Sequence, residues 1–171
     1  ARPASSFRVP GYRLLWATGW LWHVARWMAI FATTIRVNEQ TGDPQLVQLV
    51  GTAFMAPMFL GGALAGTNTD RHDRHRTVAR ALGLLIPLSG LMGLAVAADS
   101  APVGVSYLFV FFVGVGNVLD MTCRRTIAFG LVGAGLITNA GALETFALHA
   151  GNMVGSLSGG AIIGGFGAAW V

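Results

Sequence analysis

The sequence predicts an all-α integral membrane protein of about five transmembrane helices. Of its 171 residues, 54% are hydrophobic and 11% charged, and mean hydropathy is +0.62. A soluble domain of this size needs a fuller polar coat. Apolar runs of about 20 residues, the length that crosses a bilayer as helix, recur along the chain with short polar segments between them. The densest of these segments, Gly66 to Arg76 (GTNTDRHDRHR), sets Asp70, Arg71, Asp73, Arg74 and Arg76 between two apolar rods.

The first expected span, 14–35, carries Trp16, Trp20, Trp22 and Trp27, with His23 and Arg26 three residues apart and so on one helical face. A mid-span arginine costs on the order of 2.5 kcal/mol or more on a lone helix, so Arg26 should turn into the bundle. His23 and Arg26 are candidates for substrate binding or ion coupling, and a buried structural pairing is the competing role. Trp16 reads as an interfacial anchor, Trp20 and Trp27 as packing residues. A polar turn follows, in which Gly42 and Pro44 stop one helix and start the next.

The second span, 46–67, holds Gly51, Gly61, Gly62 and Gly66 with Pro57 inside it. Small residues let helices approach closely in lipid, so a packed interior helix is expected. A charged loop, 68–77, precedes a third span, 78–98, which contains Arg80 and Pro87. After the turn at Asp99 to Pro102, the fourth span runs over 103–123 and closes at Asp120, Arg124 and Arg125. Four glycines and Asn139 make 124–142 read as a surface linker. The fifth span, 143–166, brings Glu144, His149 and Asn152 in its first half and Gly155, Gly159 and Gly160 in its second. Glu144 and His149 are further candidates for substrate binding or coupling, because intramembrane ionisable groups change partner on protonation. The three glycines are candidates for helix packing.

Charge orients the spans. With the N-terminus inside, Arg2, Arg8, Arg13, Arg71, Arg74, Arg76, Arg80, Arg124 and Arg125 are cytoplasmic and Arg36 is outside, as the positive-inside rule requires. The arginines flank spans instead of forming an extended basic face, so topology accounts for them better than nucleic-acid binding does. His72 and His75 lack further ligands at metal spacing, and Ser156 and Ser158 share a helix with His149, which disfavours a Ser/His hydrolase. The lone Cys123 excludes an intrachain disulfide. No cofactor, metal or enzymatic activity is expected.

The charged loop resembles the motif between helices two and three of the major facilitator superfamily, roughly G-x-x-x-D-R-x-G-R-R. Gly66, Asp70, Arg71, Arg74 and Arg76 fit it, while Asp73 replaces a glycine and His75 a basic residue. The D-R-x-D-R variant, the opening Tyr12-Arg13-Leu14-Leu15-Trp16, and Leu131-Val132 with Asn139 to Leu143 are similar to the enterobactin-exporter-like and macrolide-efflux-like branch. Gly155-Ser156-Leu157-Ser158-Gly159-Gly160 is similar to the helix-five signature G-P-x-x-G-G without its proline. The helix-four R-x-x-Q-G motif has no arginine counterpart between Tyr107 and Gly116.

The resemblance implies the N-terminal part of a twelve-helix transporter bundle, in the bacterial cytoplasmic membrane and multi-pass, with its C-terminal half missing. It implies efflux of a small molecule, drug-like or siderophore-like, by alternating access, with protons as the coupling ion. It also implies a conformational latch. Asp70 would touch a helix end of the second bundle, Arg74 would pair with Asp120, and Arg71 and Arg76 would serve as headgroup or topology charges. The competing expectation is a truncated membrane protein that transports nothing and has a structural or assembly role.

Overall fold

A computed structural model describes residues 5–69 and 74–166. Five long helices follow a short 3-10 turn, Ser5–Arg8: α1 (Pro10–Thr41), α2 (Pro44–Thr69), α3 (Arg74–Ala97), α4 (Val103–Val132) and α5 (Ile137–Phe166). No strand occurs among the described residues. Pro10 opens α1 at a position where no backbone donor is lost. Gly42 closes that helix in the left-handed region at φ 61°, its N–H reaching the Asn38 carbonyl at 2.8 Å. At about 1.5 Å per residue, α1 is on the order of 48 Å long, so its ends pass well beyond a hydrocarbon core of about 30 Å.

Helix α4 is the centre: it packs against α1, α2, α3 and α5 alike. The broadest interface joins α1 to α5, and the next joins α2 to α4. Glycine makes both possible. A Cβ on Gly155 would meet the Val24 carbonyl oxygen at 2.5 Å, and one on Gly151 would meet His23 Cβ at 2.6 Å. Gly159 faces Met28 and Gly160 faces Phe31. Gly114 of α4 lets the backbone of α2 at Phe54 come equally close, and Gly116 makes room for Leu85 of α3.

The bundle is stratified. One apolar core lies toward the α1 C-terminal end, with Val37, Val50, Phe54, Leu85, Met92, Phe109, Val110 and Val113. A second lies at the opposite end, where Tyr12, Ala128 and Ala140 are joined by Phe7, Trp16, Phe129 and Leu143. Between the two cores the buried residues are polar: His23, Arg26, Asn117, Asp120 and Arg124. The exterior is the reverse, with Phe59 84% exposed, Ile86 75%, Leu84 72% and Leu157 68%, against 1% for Asp120 and 5% for Arg26. Apolar outside and charged inside is the arrangement a lipid solvent selects.

Among the described residues, α4 is the one helix long and apolar enough to cross a membrane, and Leu82–Ala97 is a shorter apolar stretch. Helices α1 and α5 carry polar groups in their own sequences, which dilutes their average: α1 holds Arg13, His23, Arg26 and Arg36, and α5 holds Glu144, His149 and Asn152, of which His23 and Arg26 are buried.

The structure differs from two expectations. Residues 124–142 are not a surface linker. Helix α4 continues to Val132, the break is confined to Gly133 (φ 72°) and the turn Ala134–Leu136, and α5 begins at Ile137. Asn139 is held inside this corner, accepting from the Ser6 backbone N–H at 3.1 Å and its hydroxyl at 2.7 Å. Glycine lowers helix propensity by about 1 kcal/mol, but the packing around Ala128 and Ala140 overrides it. Nor is α2 a wholly interior helix: Met55, Met58 and Phe59 are exposed, and Gly51 and Gly61 face open space. The close approach to α2 is made by Gly114 of α4.

Gly155→Val is expected to destabilise the bundle by about 1–3 kcal/mol, because the added branch meets α1 backbone instead of a yielding side chain. Gly164→Ala, with open space around it, is expected to leave stability unchanged. Reversible unfolding in mixed micelles measures both.

Candidate functional site: a buried polar layer

Arg26 lies at the middle of α1, Asn117 at the middle of α4 and Asn152 at the middle of α5. One Arg26 Nη donates to the Asn117 side-chain oxygen, the other to that of Asn152 at 3.1 Å. The guanidinium also stands over the Phe54 ring of α2, 5.9 Å from its centroid, so one side chain of α1 reaches three other helices. Its Nε has no partner among the described residues.

One turn nearer the N-terminus of α1, His23 is buried and its Nδ1 has no partner among the described residues. Gly151 presses against its Cβ. The Arg26 and His23 side chains therefore form one continuous polar face, as their spacing in the sequence requires.

The next level is an ion pair. Arg124 grips Asp120 one turn earlier on α4, Nε at 2.8 Å and Nη2 at 2.6 Å. Its remaining arm donates to the Leu15 carbonyl at 2.7 Å and to Thr18 Oγ1 at 3.3 Å. Gly19 accommodates that arm, since a Cβ there would lie 3.0 Å from Arg124 Nη1. Asp120 and Arg124 are nearly fully buried, so each depends on the other for its charge.

Glu144 of α5 lies against Tyr12, within the field of Arg124 and Asp120, and its Oε1 has no partner among the described residues. The Tyr12 hydroxyl donates to the Ala140 carbonyl at 3.2 Å, and the Trp16 indole to that of Leu143 at 2.9 Å. Trp16 thus ties α1 to the start of α5 instead of standing as a free interfacial anchor. A crevice of about 140 Å³ between α4 and α5, lined by Met121, Arg125, Glu144 and Thr145, ends at His23. A larger apolar cavity of about 330 Å³ lies between α1, α3 and α4, bordered by Ala29, Thr33, Met92 and Phe109. At its end, Arg36 pairs with Asp99 and Gln40 donates to the Ala101 carbonyl at 2.8 Å.

Of the expected site residues, His23, Arg26, Asp120 and Glu144 come together. His149 does not: it is exposed on the far face of α5, in line with Phe146 and Met153. Asp70 and Arg71 lie outside the described residues, as does the side chain of Arg74, although Gly66 is within α2 and Arg74 opens α3. Arg76 is exposed. The partner seen on Asp120 is Arg124, a residue read from the sequence as a topology charge. Asn117 and Gly151 were also missed. Asn117 is a lone amide in an apolar run, and Gly151 continues the four-residue spacing of Gly155 and Gly159, the signal that could have found it.

Arg124→Ala is expected to cost about 3–5 kcal/mol, because it strands a buried carboxylate. The double variant Asp120→Leu/Arg124→Met is expected to recover most of that loss. An unfolding double-mutant cycle measures the difference.

One family model, described as transmembrane secretion effector, matches the chain over residues 1–171. No curated protein and no solved structure matches it. Members of this group are transporters of the major facilitator type. The match extends over the whole chain, and the chain therefore belongs to the transmembrane secretion effector family of the major facilitator superfamily.

Proposed function

We propose that the five helices are spans of the N-terminal bundle of an exporter in the bacterial cytoplasmic membrane, with the N-terminus cytoplasmic. The observation that carries this reading is the buried polar layer at mid-height of a bundle whose exterior is apolar. Secondary transporters place substrate and coupling-ion sites near the midplane, between two bundles that rock against each other. Arg26, Asn117 and Asn152 occupy that height here. A second bundle, supplied by a C-terminal half, would face this one across the pathway.

Glu144 is the proposed proton carrier. It is half-buried, one oxygen lacks a partner among the described residues, and it adjoins a crevice leading to His23. Gaining and losing a proton changes its attraction to Arg124, which ties α4 to α1. Asp70, Arg71, Arg74 and Arg76 form the proposed latch at the cytoplasmic end, where charges meet helix termini. That loop resembles the enterobactin-exporter-like and macrolide-efflux-like branch. Efflux as the direction rests on the same resemblance and on the secretion wording of the family description. Chemistry on the substrate is not part of this reading.

The test is export from an efflux-deficient bacterium expressing the full-length protein. A panel of dyes and aromatic acids is loaded, and the rate of loss is followed with and without a protonophore. Protonophore-sensitive loss of at least one compound is expected, slowed tenfold or more by Glu144→Gln and by Asp70→Asn. Rates equal to those of cells lacking the gene, across the panel, would sink the reading.

A further inference from the structure

Arg26 is a buried cation with no carboxylate at ion-pairing distance among the described residues, and Asp120, the buried acid whose charge reaches it, is already engaged by Arg124. Among the described residues, the ion pairs are Arg36–Asp99 and Arg124–Asp120. Asp120 is held by two nitrogens of Arg124, and Glu144 lies against Tyr12 and Arg124. Arg26 is left with two amide oxygens and an aromatic face. Neutral amides solvate a guanidinium but do not neutralise it, and a guanidinium offers five N–H donors in a planar fork. Burying such a charge uncompensated is costly, so a site of this kind is kept where something else supplies the anion.

The surroundings provide an approach. The crevice between α4 and α5 is lined by Arg125, which is exposed over the Phe129 ring, and by His23, whereas Arg26 does not itself line it. Arg26 lies one turn deeper on the same face of α1. Arg26, Arg124 and Arg125 outnumber Asp120 and Glu144 by one, so the layer carries a net positive charge when both acids are ionised. The Arg26 Nε, unpartnered among the described residues, shares an edge of the guanidinium with Nη. That edge matches the two oxygens of a carboxylate or phosphate.

We infer that Arg26 is an oxyanion-recognition group and that the transported molecule is an organic anion whose carboxylate or phosphate binds at mid-membrane. The inference rests on the transporter reading above and adds the substrate class. Asn117 and Asn152 then act as positioning residues that hold the fork while the site is empty, and Phe54 backs its face.

The test uses the full-length protein in lipid nanodiscs and reads the thermal midpoint with benzoate, inorganic phosphate or tetraphenylphosphonium, at ionic strength matched with chloride. Benzoate or phosphate is expected to raise the midpoint in a saturable way, and tetraphenylphosphonium to leave it unchanged. Arg26→Met is expected to weaken the oxyanion at least tenfold, Arg26→Lys to weaken it less, and Glu144→Gln to tighten it by removing a nearby negative charge. If Arg26→Met does not fold, the wild type and Arg26→Lys decide the matter. Stabilisation by the cation alone, no response to either oxyanion, or equal binding by Arg26→Met would overturn the inference. The two readings fail separately. Oxyanion binding with no export of any compound sinks the transporter reading, whereas export of a cationic dye with no oxyanion binding sinks the substrate class.

Discussion

Burying the Arg26 guanidinium requires α1, α4 and α5 to bring Asn117 and Asn152 within hydrogen-bonding distance of one side chain. That demand fixes how close the helix axes must come, and closeness in a low-dielectric medium has to be met by removing side-chain volume. Gly151, Gly155 and Gly159 do this along α5, and Gly114 and Gly116 along α4. In lipid no hydrophobic force drives helices together, so packing contacts and interhelical hydrogen bonds carry the association. The glycines and the arginine are therefore parts of one device.

The position of α4 follows from the same constraint. Its N-terminal half contributes Phe109, Val110 and Val113 to one apolar core, and its C-terminal end contributes Ala128 to another. Between them it presents Asn117, Asp120 and Arg124 in successive turns. Arg124 closes the layer toward the N-terminal end of α1, holding Asp120 along its own helix and the Leu15 carbonyl on α1. Because both partners are buried, the pair is worth more as a specifier of helix register than as a source of stability.

The proposed alternating access asks for rigid bundles and a few groups able to change partner. In that reading the stratified core supplies the rigidity, and His23 and Glu144, each with a buried polar atom unpartnered among the described residues, supply groups whose partners can change. His149 is set apart from them on an exposed face of α5. A polar side chain there, among Phe146, Met153 and Leu157, marks that face as different in character from the Phe59 side of α2.

The sequence by itself determined the all-helical class, the turns at Gly42–Pro44 and Asp99–Pro102, and the inward course of Arg26. These follow from local quantities: run length, the left-handed preference at Gly42, and the cost of a charge in hydrocarbon. The glycine-rich second half of the fifth span also marked Gly155 and Gly159 as helix-packing positions. The tertiary structure decided which helices meet, and with that the partners. Whether Asp120 is held by Arg124, whether Glu144 joins His23, and that Asn117 shares Arg26 with Asn152 depend on helix rotations that one-dimensional spacing leaves free. The linker over 124–142 failed for the same reason: glycine weakens a lone helix, whereas in a packed bundle it lets the helix come close enough to be held by its neighbours.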